Sequence, residues 1–335
     1  MNVRFKPYIT IQETPTEIII SGLHQGLRYE KKSKDFLDIL KKLKSVRGLN
    51  SQECLEIKSK YQWITDDIIE PTTNCKDISR TCLFYDYLHF DFDCIKKRKI
   101  LVFGAGAAGG TITYLLAQHG FENLYVLDYD CVETSDIFKT MVYDIKNLGE
   151  KKLCAIQRRI HSNFGVDIFP IGRCLKAADD AINIISDILP AIVIYAIDPD
   201  SSYKLVVDKY CVQNGIPIIH ASYSYENIIC GPCVVPGNTA CFCGFNEYWK
   251  QRTKGRFDYE SMPKLYSRFT IHPSISYNIN TLSSIIVKDV IFLLGKEYAK
   301  ISTLNKILRI NLINNEIEED ILSCKFCVAC NAKVD

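Results

Sequence analysis

Three glycines with a fixed spacing follow a short apolar stretch in the first half of the chain. The stretch is Ile100-Leu-Val-Phe103, and the glycines are Gly104, Gly106 and Gly109. A strand, a G-x-G-x-x-G turn and a helix in this order are typical of a nucleotide-binding βαβ unit. The first glycine permits a tight turn, the second lets backbone approach phosphate, and the third lets helix and strand pack closely. The pattern predicts a phosphate-binding turn, and the alternative is a turn that serves packing alone.

An acidic residue stands at the end of the next apolar stretch. Leu124-Tyr-Val-Leu127 reads as a strand, and Asp128 follows it directly. In a nucleotide-binding βαβ unit this position holds the ribose hydroxyl groups. Asp128 is therefore predicted to bind ribose.

The elements that position these residues alternate along the chain from Ile100 onward. Further helices are predicted over about 149–162, 176–189 and 202–214, with strands near 166–171, 191–197 and 217–221. Alternation of strands and helices predicts an α/β fold with a parallel sheet covered on both faces. After Ser222 the pattern favours antiparallel strands, a polar loop over 246–269 and a long helix over 278–294. The sheet is therefore expected to be mixed but mainly parallel.

Residues 1–75 are predicted to form a separate small domain, and residues 76–335 the larger one. Short strands over 3–11 and 17–21 precede helical patterns that begin near Asp35 and Ser51. This order predicts a winged-helix-like module that could bind an extended peptide at a sheet edge. DNA binding is the competing interpretation, but acidic and basic residues are interleaved here, without a basic face. A structural cap is the third interpretation.

The composition is that of an ordinary globular protein. The 335 residues carry a formal net charge of +2 and are 47% hydrophobic, which favours neither a nucleic-acid partner nor a membrane surface. No secretory segment is evident at the N-terminus, so a cytoplasmic location is expected. In that setting the 15 cysteines are expected to be thiols or metal ligands.

Taken in order, several motifs resemble the E1-like adenylating enzymes, the superfamily of ubiquitin activation and of thiamine and molybdenum-cofactor synthesis. The resemblance covers about residues 77–330. Its motifs are Gly104-Ala-Gly-Ala-Ala-Gly109, Leu127-Asp-Tyr-Asp-Cys-Val-Glu133, Gly149-Glu-Lys-Lys152, Asp198, and Gly231-Pro-Cys-Val-Val-Pro-Gly237. Within the superfamily the chain is most similar to the peptide-modifying enzymes of microcin C and pantocin biosynthesis. The resemblance implies a Rossmann-like adenylation domain behind an N-terminal peptide-binding domain.

The resemblance also implies ATP and Mg²⁺ as cofactors and a role for each matching residue. Asp198 would bind Mg²⁺, Lys152 would hold the phosphates, and Asp130 would assist Asp128 at the ribose. Arg80 matches an arginine that crosses a dimer interface into the partner's ATP site, which implies a homodimer.

Two positions depart from the family pattern close to the phosphates. Asp136 stands where the family usually has asparagine, and Lys139-Thr140 replaces an arginine-glutamine pair. Lysine keeps the charge but loses the bidentate geometry of arginine. Asp136 adds a negative charge that Mg²⁺ or Lys139 would have to offset. These departures favour a specialised dehydration over ordinary adenylyl transfer.

Paired cysteines form a second candidate site. Cys327-x-x-Cys330 has metal-ligand spacing, and Cys241-Phe-Cys243 stands upstream, one residue shorter than the usual C-x-x-C. The resemblance implies that these four thiolates hold a structural Zn²⁺. Cys324 is a substitute ligand, and unmetallated thiols are the alternative.

The sequence thus predicts an ATP-dependent enzyme that modifies a ribosomally made precursor peptide, whose leader the N-terminal domain binds. The modification would be dehydration with cyclisation or attachment of a nucleotide. One alternative is an adenylyltransferase for a ubiquitin-like sulfur carrier. The other is a non-catalytic, leader-binding partner of a separate cyclodehydratase.

Overall fold

The structure is a computed structural model that divides into two compact units, Met1–Asp91 and Phe92–Asp335. The domain boundary predicted after residue 75 lies within the first of these units. The residues that the structure describes are 2–23, 26–45, 47–71, 80–197, 201–252, 254, 274–321, 326–327 and 332–333.

The first unit is a small α+β module. Its strands are β1 (Val3–Phe5), β2 (Thr10–Glu13), β3 (Glu17–Leu23), β4 (Gly26–Lys31) and β5 (Ile69–Pro71), and its helices are α1 (Lys34–Lys44), α2 (Ser51–Lys60) and α3 (Arg80–Tyr87). Strands β2, β3 and β4 form an antiparallel sheet, and β1 pairs with β5.

The core of this module follows from amphipathic patterns. Helix α1 turns Phe36, Leu40 and Leu43 inward, and Ile18 and Ile20 of β3 are buried in the same cluster. The spacing of these residues matches one face of a helix and one face of a strand. The structure therefore confirms the small N-terminal domain of strands and helices.

The second unit is built on a single mixed sheet of eight strands. The strands are β6 (Ile100–Phe103), β7 (Leu124–Leu127), β8 (Phe169–Ile171), β9 (Ile192–Tyr195), β10 (Ile218–Ser224), β11 (Asn227–Val234), β12 (Lys306–Asn311) and β13 (Glu316–Ile321). Their order is β13-β12-β11-β10-β9-β6-β7-β8. Neighbours from β8 to β10 are parallel, and those from β10 to β13 are antiparallel. The predicted mixed, mainly parallel Rossmann-like α/β fold is confirmed.

Helices connect and cover these strands. They are α4 (Ala107–His119), α5 (Thr134–Ile137), α6 (Lys152–Phe164), α7 (Ala178–Ile188), α8 (Ser201–Gln213), α9 (Phe242–Arg252) and α10 (Ser276–Leu294). Two-residue strands β14 (Phe326–Cys327) and β15 (Ala332–Lys333) pair near the C-terminus.

Helix α10 is the apolar helix of this core. By length and composition alone it could cross a membrane, the one helix of the described residues for which this holds. It packs against α4, β10 and β11, and 61% of its most apolar stretch is buried within the protein. Such burial is expected for the core helix of a globular domain.

Two helices differ from the sequence-based expectations. Helix α4 begins at Ala107, inside the glycine motif rather than after it, because its first turn includes the glycines that pack against the preceding turn. Residues 246–252 were predicted to be loop but belong to α9. The N-terminus of α9 receives a hydrogen-bond acceptor from α8: the Phe242 N–H donates to the Asp208 carboxylate at 2.9 Å. When a residue distant in sequence caps a helix, the local sequence pattern cannot predict where that helix begins.

Candidate functional site

A pocket of about 670 Å³ opens at the carboxyl ends of five parallel strands in the second unit. It is lined by residues that follow β6, β7, β8 and β9 and by the end of β10, including Gly104, Asp128, Ala196 and Ser222. The chain leaves β6 toward β7 on one side of the sheet and later returns to β9 on the other. Ligands of open α/β sheets bind at such a switch point.

The glycine turn at the bottom of this pocket is closely packed. Gly104 has a φ of +98°, and a Cβ atom there would lie 2.7 Å from the Ala196 carbonyl oxygen. A Cβ atom at Gly109 would lie 2.1 Å from the Gly104 carbonyl oxygen. At Gly106 a Cβ atom would meet nothing within 4 Å, since this residue faces the pocket. The three glycines thus provide a turn, a helix contact and an open approach to the backbone.

Asp128 lies beside this turn and is held by backbone donors. The Ala105 N–H donates to its Oδ2 at 2.7 Å, and the Asp130 N–H donates to its Oδ1 at 2.7 Å. Each carboxylate oxygen keeps a further lone pair, so a ribose hydroxyl group can still be accepted. Desolvation and the neighbouring Asp128 carboxylate raise the pKa of Asp130, which also lines the pocket.

The two lysines predicted from the sequence line the same pocket, but they differ in their ion pairs. Lys152, the first residue of α6, lies 3.3 Å from Asp136 through its Nζ atom and the Oδ2 atom, and both side chains are buried. Lys139 lines the pocket and makes no ion pair with any residue in the described ranges. The structure therefore brings together Gly104, Gly106, Asp128, Asp130, Asp136, Lys139 and Lys152.

Several pocket residues were not anticipated from the sequence. Arg173, Cys174 and Leu175 follow the short strand β8, and Tyr203 of α8 donates a 2.8 Å hydrogen bond to the Lys176 carbonyl oxygen. A residue after the third strand of a parallel sheet belongs to the same edge as Asp128, which is the signal that could have identified Arg173.

Besides Gly109, which packs against Gly104 and does not line the pocket, two predicted residues are not placed there. Asp198 lies outside the described residues, although Ala196 and Ile197 just before it line the pocket. Arg80 is the exposed first residue of α3 in the first unit. The roles assigned to both residues remain predictions.

A second cluster of metal-binding side chains is buried where α8 meets the start of α9. Ligand atoms of Asp208, Cys241 and Cys243 all lie within 4.8 Å of one another. The Gly244 N–H lies 3.3 Å from the Cys241 sulfur and donates to it, and the Cys243 thiol donates to the Leu205 carbonyl oxygen at 3.7 Å. Sulfur that accepts backbone N–H groups at a helix N-terminus is suited to the thiolate form.

Asp208 is the member of this cluster that the sequence analysis missed. Its side chain is fully buried, and its Oδ1 atom lies 3.4 Å from Nε2 of the buried His220. Burial raises the pKa of Asp208 to about 7 and lowers the pKa of His220 well below its usual value. A cation beside Asp208 would relieve this cost of burial, so the donor set fits Zn²⁺.

The C-terminal half of the predicted zinc site is described only in part. The backbone of Cys327 lies in β14, and β14 packs against α9, the helix that begins directly after Cys241. Cys324 and Cys330 lie outside the described residues.

The fold and the pocket define an α/β protein with a nucleotide-binding type of turn at the carboxyl ends of its parallel strands. The chain belongs to the ThiF family, which matches residues 79–327. This membership confirms the resemblance to E1-like adenylating enzymes.

Relatives with curated names match part of the chain. It is 28% identical over 152 residues to the sulfur carrier protein ThiS adenylyltransferase of Bacillus subtilis, covering 44% of this chain and 43% of that protein. It is 27% identical over 157 residues to the adenylyltransferase and sulfurtransferase MOCS3 of Xenopus laevis, covering 42% and 33%. The chain thus spans less than half the length of these relatives.

Solved structures match nearly the whole chain. The crystal structure of E. coli MccB with AMPCPP and MccA aligns with a TM-score of 0.71 at 20% identity, covering 98% of this chain and all of that one. The structure of PaaA aligns with a TM-score of 0.69 at 15% identity, covering 95% and 99%. At these identities the likeness shows a common fold.

Proposed function

We propose that this protein uses ATP to activate a carboxyl or amide group of a ribosomally made precursor peptide. One observation carries the proposal: a single pocket at the switch point brings together an open glycine turn, a ribose-type carboxylate and two lysines. They are Gly106, Asp128, Lys139 and Lys152. A dinucleotide site for hydride transfer does not require such lysines, whereas a triphosphate does.

Each pocket residue has a task in this reaction. Asp128 binds the ribose hydroxyl groups, the N-terminus of α4 and the Gly106 backbone receive the phosphates, and Lys139 and Lys152 stabilise the charge of the leaving pyrophosphate. The oxygen of the peptide's carboxyl or amide group attacks the α-phosphorus. The bond from that phosphorus to the bridging oxygen of pyrophosphate breaks, which leaves an adenylate on the peptide.

Magnesium is the metal expected in this pocket. Asp130 and Asp136 supply carboxylate oxygens there, which are the ligands that Mg²⁺ prefers, and Asp198 is a further candidate ligand. The ion would neutralise phosphate charge and polarise the phosphorus–oxygen bond.

The first unit is proposed to bind the leader of the peptide. Strand β4 is an edge of its sheet, and Leu27 and Tyr29 on that strand are 58% and 57% exposed. Arg28 lies over the ring of Trp63, 5.3 Å from its centroid. An extended peptide could add a strand to β4 and place apolar side chains against Leu27 and Tyr29. The MccB structure of similar fold contains MccA.

The fate of the adenylate distinguishes two outcomes. Attack by a neighbouring group of the peptide releases AMP and gives cyclisation with loss of water, whereas retention gives a nucleotide-bearing peptide. The enzyme is proposed to act in the cytoplasm as a homodimer in which Arg80 contributes to the partner's site, and to carry a structural Zn²⁺.

The test is to incubate the purified protein with ATP, Mg²⁺ and each short peptide encoded beside its gene. Mass spectrometry should then show an ATP-dependent loss of water or gain of a nucleotidyl group. Absence of any mass change with all of these peptides would contradict the proposal.

Two variants test the leader site in the same assay. Tyr29→Ser should raise the KM for the full-length peptide, because it removes an exposed aromatic side chain from the β4 edge. Leu55→Ser is the control, since Leu55 is also a strongly exposed apolar residue of the first unit, at 64%, but lies on α2. Equal effects of both variants would argue against binding at β4.

A second candidate function is adenylation of a ubiquitin-like sulfur carrier. The observation in its favour is the similarity to the ThiS adenylyltransferase of Bacillus subtilis. Pyrophosphate exchange that depends on a Gly-Gly-terminated carrier and is insensitive to Tyr29→Ser would support it. A leader-binding protein without catalysis is the third, and binding of peptide without any binding of ATP would support that one.

A further inference from the structure

The pocket contains an ion pair that is fixed before any ligand arrives. The Asp136 and Lys152 side chains are 7% and 10% exposed, and their charged atoms lie 3.3 Å apart. The same Asp136 oxygen accepts the Glu133 N–H at 3.0 Å, which holds the carboxylate in the first turn of α5. Lys152 is held by its backbone N–H, which donates to the Asp130 carbonyl oxygen at 3.1 Å. Hydrogen bonds thus anchor the Asp136 side chain and the Lys152 backbone beside the ion pair.

The formal charges of the side chains that line the described part of the pocket, the ion pair included, cancel. Its acidic side chains are Asp128, Asp130 and Asp136, and its basic side chains are Lys139, Lys152 and Arg173. A triphosphate therefore enters a pocket whose described walls carry no net positive charge. The positive charge of Lys152, the more buried of the two lysines, is already balanced by Asp136.

The position of Asp136 in the pocket strengthens the effect of its charge on a bound phosphate. Charges in a partly buried pocket are screened far less than charges on an open surface. An incoming phosphate at Lys152 would approach the Asp136 carboxylate as well, and the repulsion offsets much of the attraction to the lysine. The repulsion is smaller for a phosphate group that brings its own cation, because its net charge is lower.

We propose that Asp136 makes the pocket select a triphosphate that carries a divalent cation over the bare triphosphate. It does so by compensating Lys152 and by repelling uncompensated phosphate. Asp136 is thus a positioning and specificity-determining residue. The proposal rests on the proposed nucleotide site and concerns one residue of it.

The test measures binding by calorimetry with three ligands: ATP with excess Mg²⁺, ATP with excess EDTA, and adenosine. The wild-type protein should bind ATP in EDTA much more weakly than ATP in Mg²⁺. Asp136→Asn should strengthen binding of ATP in EDTA on the order of ten-fold, since one poorly screened repulsion is removed. Binding of ATP in Mg²⁺ should change less, and binding of the uncharged adenosine should not change.

Asp187→Asn is the control. Asp187 is in the last turn of α7, where its side chain is exposed and does not line the pocket, so its neutralisation should leave the ratio of the two ATP affinities as in the wild type. If Asp136→Asn does not fold, as judged by circular dichroism, Asp136→Ser removes the same charge with a smaller side chain.

The outcomes separate this inference from the proposed function. If the wild type binds adenosine and ATP but Asp136→Asn leaves the ratio of ATP affinities unchanged, the inference is wrong and the nucleotide site stands. If the wild type binds neither adenosine nor ATP under either condition, the proposed function is wrong and the inference falls with it.

Discussion

The backbone N–H of Ala105 donates a 2.7 Å hydrogen bond to Oδ2 of Asp128. This bond joins the turn after β6 to the residue that ends β7. The second oxygen of the same carboxylate accepts the Asp130 N–H. Asp128 therefore holds the loops after β6 and β7 in place, in addition to its proposed role in binding ribose.

Asp128→Asn should weaken both the fold and nucleotide binding. The amide has one oxygen, so one of the two backbone N–H groups would face an NH₂ group and lose its acceptor. The free energy of unfolding in urea should fall by about 1–3 kcal/mol. Asp167→Asn, which changes an exposed carboxylate that follows the C-terminal end of α6, is the control and should change neither property, because its exposed ion pair with His161 contributes little. Unaltered stability of Asp128→Asn would show that these hydrogen bonds contribute little.

Two glycine substitutions should separate packing from ligand binding. In Gly109→Ala the new Cβ atom would lie 2.1 Å from the Gly104 carbonyl oxygen, and such overpacking costs about 1–3 kcal/mol or more. In Gly106→Ala the Cβ atom meets no protein atom within 4 Å but enters the pocket. We expect Gly109→Ala to lower the melting temperature, and Gly106→Ala to keep it and lose affinity for ATP. If Gly106→Ala binds ATP as tightly as the wild type does, the glycine turn is not part of the phosphate site.

The sequence predicted those parts of the pocket whose residues lie close together along the chain. The strand, the glycines and Asp128 are consecutive in one βαβ unit, so their spacing alone predicted their meeting. The Asp136–Lys152 pair depends on how the short helix α5 packs against the start of α6, and no local pattern encodes it. Helix α9 was missed for a similar reason, since Asp208 caps it from another helix.

Zinc binding by the second cluster should depend on Cys241. Cys241→Ser removes a buried sulfur that accepts the Gly244 N–H and lies near Asp208 and Cys243. We expect the zinc content of the purified protein, measured by mass spectrometry of the elements, to fall from one ion per chain to near zero. Cys174→Ser is the control because Cys174 is exposed and lies at the other site. A zinc-free wild-type protein would show instead that these cysteines are unmetallated thiols.

The stability of the protein should depend on pH through Asp130. Desolvation and the Asp128 carboxylate raise the pKa of Asp130 above its ordinary value of 3.8. The folded chain then keeps the Asp130 proton to a higher pH than the unfolded chain does. This contribution to stability is therefore present in acid and is lost as the pH rises through the raised pKa.

Asp130→Asn lacks this ionisation, so its stability relative to the wild type should be highest at neutral pH and should decline toward acid. Urea unfolding of both proteins over a pH series, with EDTA and without nucleotide, measures the difference. Nucleotide affinity should fall in the same variant if Asp130 assists at the ribose. A relative gain confined to acid pH would mean that Asp130 is stabilised as a carboxylate, contrary to its position beside Asp128.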